Sequence, residues 1–557
     1  MRILILGGYG TFGGRLVDLL LDEARLTLFV AGRNPEAAER FCRARKGEAR
    51  LVPVMLDRND CEEQLLTLKP DLAVDASGPF QAYGDNPYSF ARAAIAAGSD
   101  YIDLADGADF VTGISALDEL ARQSSRFALS GMSSFPVLTA AVVRKLAQGM
   151  DGIESIVAGI APSPFAGVGL NVIRAIASYA GKPVKLLSGG AWVERAGFFD
   201  SRRLTVNVPG EIPLRPIRFA LAEVPDLKVL PLDWPSLKTM WMGAGPTPAF
   251  LHRLLWIAAG LVKLRMLPSL VPLAPVMNWV INTLRWGEHR GGMIVEIKGQ
   301  GKVQRSWHLV AEGDGGPFIP SMAAEAIIRG CLNGRRPAPG ARSGHRDLEL
   351  DDYAPLLARH GIKTGVRENS GTALPIYREA MGEAFARLAP PLREFHANTS
   401  PFRMTGKARV ARGQSVVSKL AGWLFGFPGE GQAIDVEVSI GFTGRTEIWT
   451  RTFAGKSFRS RQTLGRGRYE GLIVESFGPL NFALAVVERN GGLGLILRGW
   501  DIAGLPLPKW LMPVSRASEH GAEERFNFDV EIGLPIFGRI VAYSGWLVPA
   551  AAGKSRV

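Results

Sequence analysis

The chain has 557 residues, 47% of them hydrophobic and 21% charged, which suits two to four globular domains and excludes a disordered or collagen-like polymer. Its net charge of +12 raises nucleic acid as a partner, but the basic residues are dispersed and no helix-turn-helix, zinc-finger or RNP pattern occurs, so none is expected. Cys42, Cys61 and Cys331 are too few for a disulfide framework and fit a reducing, cytoplasmic setting.

Residues 2–7 are an apolar run of strand length, with no room before them for a signal peptide, and residues 11–21 carry helical spacing. Between them Gly8, Gly10 and Gly13 form G-x-G-x-x-G. In that pattern the first glycine allows a tight turn, the second lets a pyrophosphate approach the backbone, and the third lets helix and strand pack closely. Phosphate would sit at the helix N-terminus, so Tyr9, Thr11 and Phe12 join the glycines as expected cofactor contacts.

Further apolar runs recur at 26–31, 50–56, 71–76, 100–104 and 126–130, separated by helical patterns of which two begin near Pro35 and Pro87. Strands alternating with helices imply right-handed crossovers and a parallel sheet, so residues 1–150 are expected to form a Rossmann-type, doubly wound α/β domain. After the second strand, where a carboxylate commonly meets the ribose of NAD, stand Arg33 and Asn34; a cation there suits the 2′-phosphate of NADP(H). Ligands in such sheets lie beyond the carboxyl ends of the strands. Asp57 is therefore expected at the adenine end, and Ser77, Gly78 and Pro79 along the ribose–nicotinamide half. Asp103 and Asp106 are expected as loop caps ahead of catalysis, and residues 131–136 close the list of strand-end loops.

Residues 151–334 lose this cadence and read as an α+β substrate or dimerisation domain, with a helix over 321–333 returning to the first domain. His308 is expected to be satisfied structurally. Residues 251–286 are the most apolar part, but Pro268, Pro272, Pro275, Asn278 and Asn282 argue against a membrane span. The preferred expectation is a helical layer buried in the domain or in a homodimer contact. The alternative is a face, flanked by Trp256, Lys263, Arg265, Trp279, Arg285 and Trp286, lying on an anionic membrane. Residues 335–372, rich in Pro, Gly and Arg, read as a linker, and 373–557 as a separate β-rich domain of short alternating runs. The span 451–468 holds six basic and no acidic residues, read either as a solvated hairpin or as a site for anionic head groups. The seven histidines show no HExxH spacing, and no metal is expected.

The blocks "GGYGTFGGRL", "VDASGPFQAYG", "YIDLADGADFVTGI" and "LSGMSSFP" together resemble the saccharopine dehydrogenase-like NADP-binding family. That family includes saccharopine reductases and trans-acting enoyl reductases of lipid biosynthesis. The resemblance spans roughly residues 1–340 and implies NADP binding without specifying a substrate. None of the nine tyrosines has a lysine four residues later, which excludes the Tyr-x-x-x-Lys pair of short-chain dehydrogenases. The blocks "FTGRTEIWTRTFAGKSFRS", "ESFGPLNFAL" and "GLPLPKWLMP" resemble an uncharacterised domain that often follows such domains in bacterial proteins. The expected function is an NADPH-dependent oxidoreductase acting on a hydrophobic acyl, enoyl or polyketide-like substrate. A saccharopine-type reductase of amino-acid metabolism and a non-catalytic, NADP-bound lipid carrier or membrane scaffold stand as alternatives. No residue is singled out as proton donor.

Overall fold

A computed structural model describes residues 1–245, 249–301, 303–369 and 374–550. The chain divides into two compact units, one built from residues 1–204 and 217–363, the other from 205–216 and 364–557.

The first unit begins with β1 (Arg2–Leu6), whose Ile3, Leu4 and Ile5 are fully buried. Such an unbroken apolar run is what a strand covered on both faces requires. α1 (Thr11–Leu20), β2 (Thr27–Gly32), α2 (Pro35–Arg43), β3 (Arg50–Met55), β4 (Leu72–Asp75), β5 (Asp100–Asp103) and β6 (Phe127–Ser130) follow. All pair in parallel in the order β3-β2-β1-β4-β5-β6. β1 is thus flanked by β2 and β4, and the crevice opens where the chain switches from one side of β1 to the other.

Beyond β6 lies a seventh parallel strand, Gly340–Ser343, matched from Phe127 to Ser130. It falls inside the segment read as a linker, and the helix Leu350–Arg359 follows it behind a capping box of Glu349 and Asp352. The linker reading of residues 335–372 is therefore corrected: up to residue 363 this segment belongs to the first unit, while residues 370–373 lie outside the described residues. The sequence signal was misleading because a four-residue edge strand carries too little periodicity to outweigh its Pro and Gly neighbours.

The middle region supplies a mixed sheet, in which Ile153–Ala161 lies between Thr239–Ala244 and Arg290–Gly299. Helices Leu170–Tyr179, Ala249–Lys263 and Ala274–Thr283 lie in the same region. The helix Ile319–Leu332 returns to α1: Ser321 Oγ donates to the Phe12 carbonyl (3.0 Å), and Arg329 donates to the Leu19 carbonyl and to Asp22.

In the second unit ten antiparallel strands close into a barrel through the pairing of Leu480–Arg489 with Gly492–Ile502. One end, at the 489–492 and 522–525 turns, is packed by helices Ile376–Met381 and Pro390–Ala397. There Tyr377 OH donates to Gln462 (2.9 Å), and His396 meets Glu519 at 2.7 Å. Alternation along the strands splits the basic run 451–468. Lys456, Arg459 and Arg461 face solvent, whereas Arg451 turns inward to Glu475 (3.1 Å). The whole run is therefore not one solvated face.

Candidate functional site

The turn between β1 and α1 is tightened by Gly7, whose φ of 77° only glycine adopts without strain. The tight-turn role expected of Gly8 thus falls one residue earlier. A Cβ on Gly7 would lie 2.7 Å from the Ala76 carbonyl oxygen, and one on Gly13 would lie 2.3 Å from that of Gly7. Gly8 is closed in by Ile5 and Val30, and Gly10 forms the N-cap of α1. These contacts leave no room for side chains, and the first N–H groups of α1 point from the turn without an acidic residue in the first turn to compete for them.

Gly7, Tyr9, Gly10, Thr11 and Phe12 open onto a cavity of about 1130 Å³ that also takes in Arg33, Asp57, Ser77, Gly78 and Pro79. Of the residues expected from sequence, Gly8 and Gly13 shape the turn from behind, and Asn34 stands off the cavity wall. Asn34 caps α2 by accepting the Ala37 N–H at 2.9 Å, while its own N–H donates to Tyr9 OH at 3.0 Å. Its position is accordingly explained by the start of α2. Arg33 is exposed, and its guanidinium has no hydrogen bond or ion pair among the described residues. Asp57 Oδ1 accepts the Asn59 N–H at 2.9 Å.

Two lining residues carry chemistry that motif reading did not single out. Arg58 stacks on Tyr83, its guanidinium 3.5 Å from the ring centroid, and donates to the Tyr83 carbonyl. Tyr83 OH lies 2.7 Å from Ser77 Oγ, and both reach the buried Asp75 carboxyl at 3.2 and 2.6 Å. Burial pushes Asp75 and Tyr83 up from their ordinary pKa values, while the Ser77 and Tyr83 hydrogen bonds pull Asp75 back down. The only signal for it was proximity in sequence, residues 75–83 spanning one strand end and its loop.

Asp103 does not line the cavity. Its Oδ1 accepts from Ala105 N, Ser130 Oγ and Gly131 N, tying β5 to the loop after β6, and burial pushes its carboxyl up to about 7. Asp106 does line it, accepts from Gln81 Nε2 at 3.0 Å, and is raised by burial. Tyr179, raised by burial and then by the charge of Asp106, stands on the same wall. His308 is buried, with Nε2 2.8 Å from Ser306 Oγ, and is not among the lining residues.

The other half of the cavity is apolar. Helix Leu170–Tyr179 contributes Ile173 and Ile176, Ala249–Lys263 contributes Leu255 and Ala258, and Ala274–Thr283 contributes Met277 and Ile281. From Ile160 onward none of the lining residues is charged. Within the stretch 251–286, Ala259, Val262, Leu270 and Ala274 are buried, but Leu264, Met266, Val276, Trp279 and Trp286 are each more than half exposed. The expectation of a layer buried wholly within the domain is corrected: proline divides the stretch into two helices, each with one face inward and one outward. Among the described residues no helix is long and apolar enough to cross a membrane. Nor, among them, do three or more His, Cys, Asp or Glu side chains cluster to hold a metal.

Residues 3–129 match the saccharopine dehydrogenase NADP binding domain, and residues 388–547 match a domain of unknown function (DUF4166). Comparison with curated proteins finds no match. Among solved structures the chain is similar to saccharopine dehydrogenase (L-Glu forming) from Saccharomyces cerevisiae, at 12% identity over 66% of this chain and 100% of the other, with a TM-score of 0.47. It is also similar to a myo-inositol dehydrogenase from Corynebacterium glutamicum (12%, 65% and 94%, TM-score 0.31) and a probable dehydrogenase from Thermotoga maritima (10%, 62% and 91%, TM-score 0.32). In its glycine turn, its strand order and this family-model match, the first domain is similar to the saccharopine dehydrogenase NADP binding domain.

Proposed function

We propose that the chain is an NADPH-dependent reductase of an apolar, acyl-type substrate. The observation that carries this reading is the continuity of one cavity from the glycine turn to an uncharged wall of Ile, Leu, Val and Met side chains. The turn fits a dinucleotide, since a Cβ on Gly7, Gly8 or Gly13 would strike neighbouring atoms. The α1 N-terminus would hold the pyrophosphate, and Arg33 the 2′-phosphate. Bound nicotinamide supplies hydride chemistry. The chain's own part is to orient and to exclude water. The Asp75–Ser77–Tyr83 group fixes the loop that faces the ribose half, and the helical wall desolvates the substrate. Tyr179 keeps its phenolic proton on the wall it shares with Asp106.

A saccharopine-type substrate, with several charges, would need charged anchors, and the substrate half of the cavity has none among its lining residues. An apolar substrate also suits the outward faces of 251–286, which we assign to peripheral contact with an anionic membrane through Trp279, Trp286 and the neighbouring Lys263, Arg265 and Arg285. The reading is tested by following NADPH oxidation with 2-enoyl thioesters of increasing chain length and, separately, NADP+ reduction with saccharopine. Turnover should rise with chain length. Consumption of saccharopine, or rates indifferent to chain length, would refute it.

A further inference from the structure

We propose that the barrel of the second unit is a binding site for a neutral lipid, a long apolar molecule ending in a hydroxyl group. Inside the barrel lies a second cavity of about 430 Å³, within the range of small-molecule sites. Its walls are apolar and largely aromatic, among them Phe453, Phe458, Phe482, Leu495, Phe528 and Ile540. Small barrels fill their interiors with side chains, whereas wider ones enclose ligands.

The strand register places an entrance opposite the end packed by helices. The 453–456, 477–480, 502–514 and 534–538 connections all lie at that opposite end, together with helix Val416–Leu424. The helix is pinned there by Ser415 Oγ donating to the Phe537 carbonyl and Ser418 Oγ donating to that of Arg539. Trp423, Trp510 and Ile536 at this end are 79, 67 and 71% exposed. An apolar rim around the mouth of an apolar cavity is what a water-insoluble ligand needs in order to enter.

The polar floor selects the head group. Arg451 donates to Ser460 Oγ (2.8 Å) and to Glu475 Oε1 (3.1 Å), with its guanidinium 4.8 Å from the Trp449 ring centroid. Glu475 also accepts from Ser460 Oγ at 2.6 Å. The Arg451 cation therefore already has its counter-charge, and Glu447 and Glu519 are buried nearby, Glu447 accepting from Trp449 Nε1 and Glu519 meeting His396. A fatty-acid carboxylate would add another negative charge to carboxylates already buried. A hydroxyl can donate to those same oxygens without adding charge.

The test uses the full-length protein and N-phenyl-1-naphthylamine, an uncharged dye that fluoresces in apolar surroundings, with 1-hexadecanol and hexadecanoate as competitors. Val438→Trp and Ala517→Trp each fill the barrel cavity from a different strand and leave the first unit's cavity unchanged, so the loss of dye they cause reports the barrel alone. Both should lose that share of the signal, and hexadecanol should compete at least about tenfold better than hexadecanoate. Glu475→Gln, which leaves the Arg451 cation without its counter-charge, should shift the preference toward hexadecanoate. Undiminished dye uptake by whichever filling variants keep the wild-type circular dichroism would overturn the site. Hexadecanoate competing as well as hexadecanol in the wild type would overturn the ligand class.

Discussion

Replacing Arg33 by alanine isolates the contrast between the two nicotinamide cofactors. Arg33 follows β2 directly, lines the cavity, and has no internal partner among the described residues, so its removal costs the fold little. Arg58, the neighbouring cation, is held on the Tyr83 ring and donates to the Tyr83 carbonyl, so it cannot swing freely to replace the lost charge. The 2′-phosphate adds up to two negative charges where NADH has a hydroxyl. A charge-assisted hydrogen bond to it contributes about 1.5–3 kcal/mol, and the exposed position favours the lower part of that range. At about 1.4 kcal/mol per tenfold, Arg33→Ala should weaken NADPH by roughly 10- to 100-fold while leaving NADH almost unchanged. Arg33→Asp should reverse the preference, because it places a carboxylate against the phosphate. Titration of both nucleotides against wild type and variants, followed by nicotinamide fluorescence or calorimetry, measures the two constants. Equal losses for the two cofactors would mean that Arg33 supports the turn, and a wild type preferring NADH would end the assignment of the 2′-phosphate to this residue.

Gly13→Ala should weaken both nucleotides by about tenfold or more and lower the melting temperature, since its Cβ would lie 2.3 Å from the Gly7 carbonyl and must push α1 off the turn; unchanged binding would show that the turn does not hold the pyrophosphate. Asp103, raised by burial to about 7, binds a proton in the folded chain that the unfolded chain releases near pH 4, so its contribution to stability falls as pH rises from about 4 to 7, by roughly 1.4 kcal/mol per pH unit. Asp103→Asn keeps an acceptor for Ala105, Ser130 and Gly131 and should flatten that part of the denaturation profile; an unaltered slope between pH 5 and 7 would refute the attribution. Trp279→Glu combined with Trp286→Glu should weaken partitioning onto anionic liposomes by about a hundredfold or more, given about 1.5–3 kcal/mol for each of the two apolar side chains, while sparing NADPH affinity. Retention equal to wild type would remove the membrane contact.

What the sequence by itself determined is the local grammar. Ile3–Leu6 must be buried on both faces because nothing in the run is polar, and the glycines that follow admit a turn no other residues permit. Pro35 after Asn34 starts a helix, and Arg33 places a cation where β2 ends. Alternation after residue 400 announces antiparallel strands. Each of these is written in a few neighbouring residues, at a period of 2 or 3.6 or in one restricted φ angle.

Only the tertiary structure decided the rest, because it depends on residues distant in the chain. Gly340–Ser343 is a strand through its register against β6, not through its own four residues. Residues 205–216 cluster with the second unit although strands of the first flank them on both sides. The helices of 251–286 owe their two faces to what packs against Ala259 and Ala274. Arg451 belongs to the barrel interior because the pairing of β-strands, which closes Leu480–Arg489 onto Gly492–Ile502, sets which alternate side chains point inward. A period marks which residues share a face; only the pairing of distant segments determines whether that face meets water, a neighbour or a ligand.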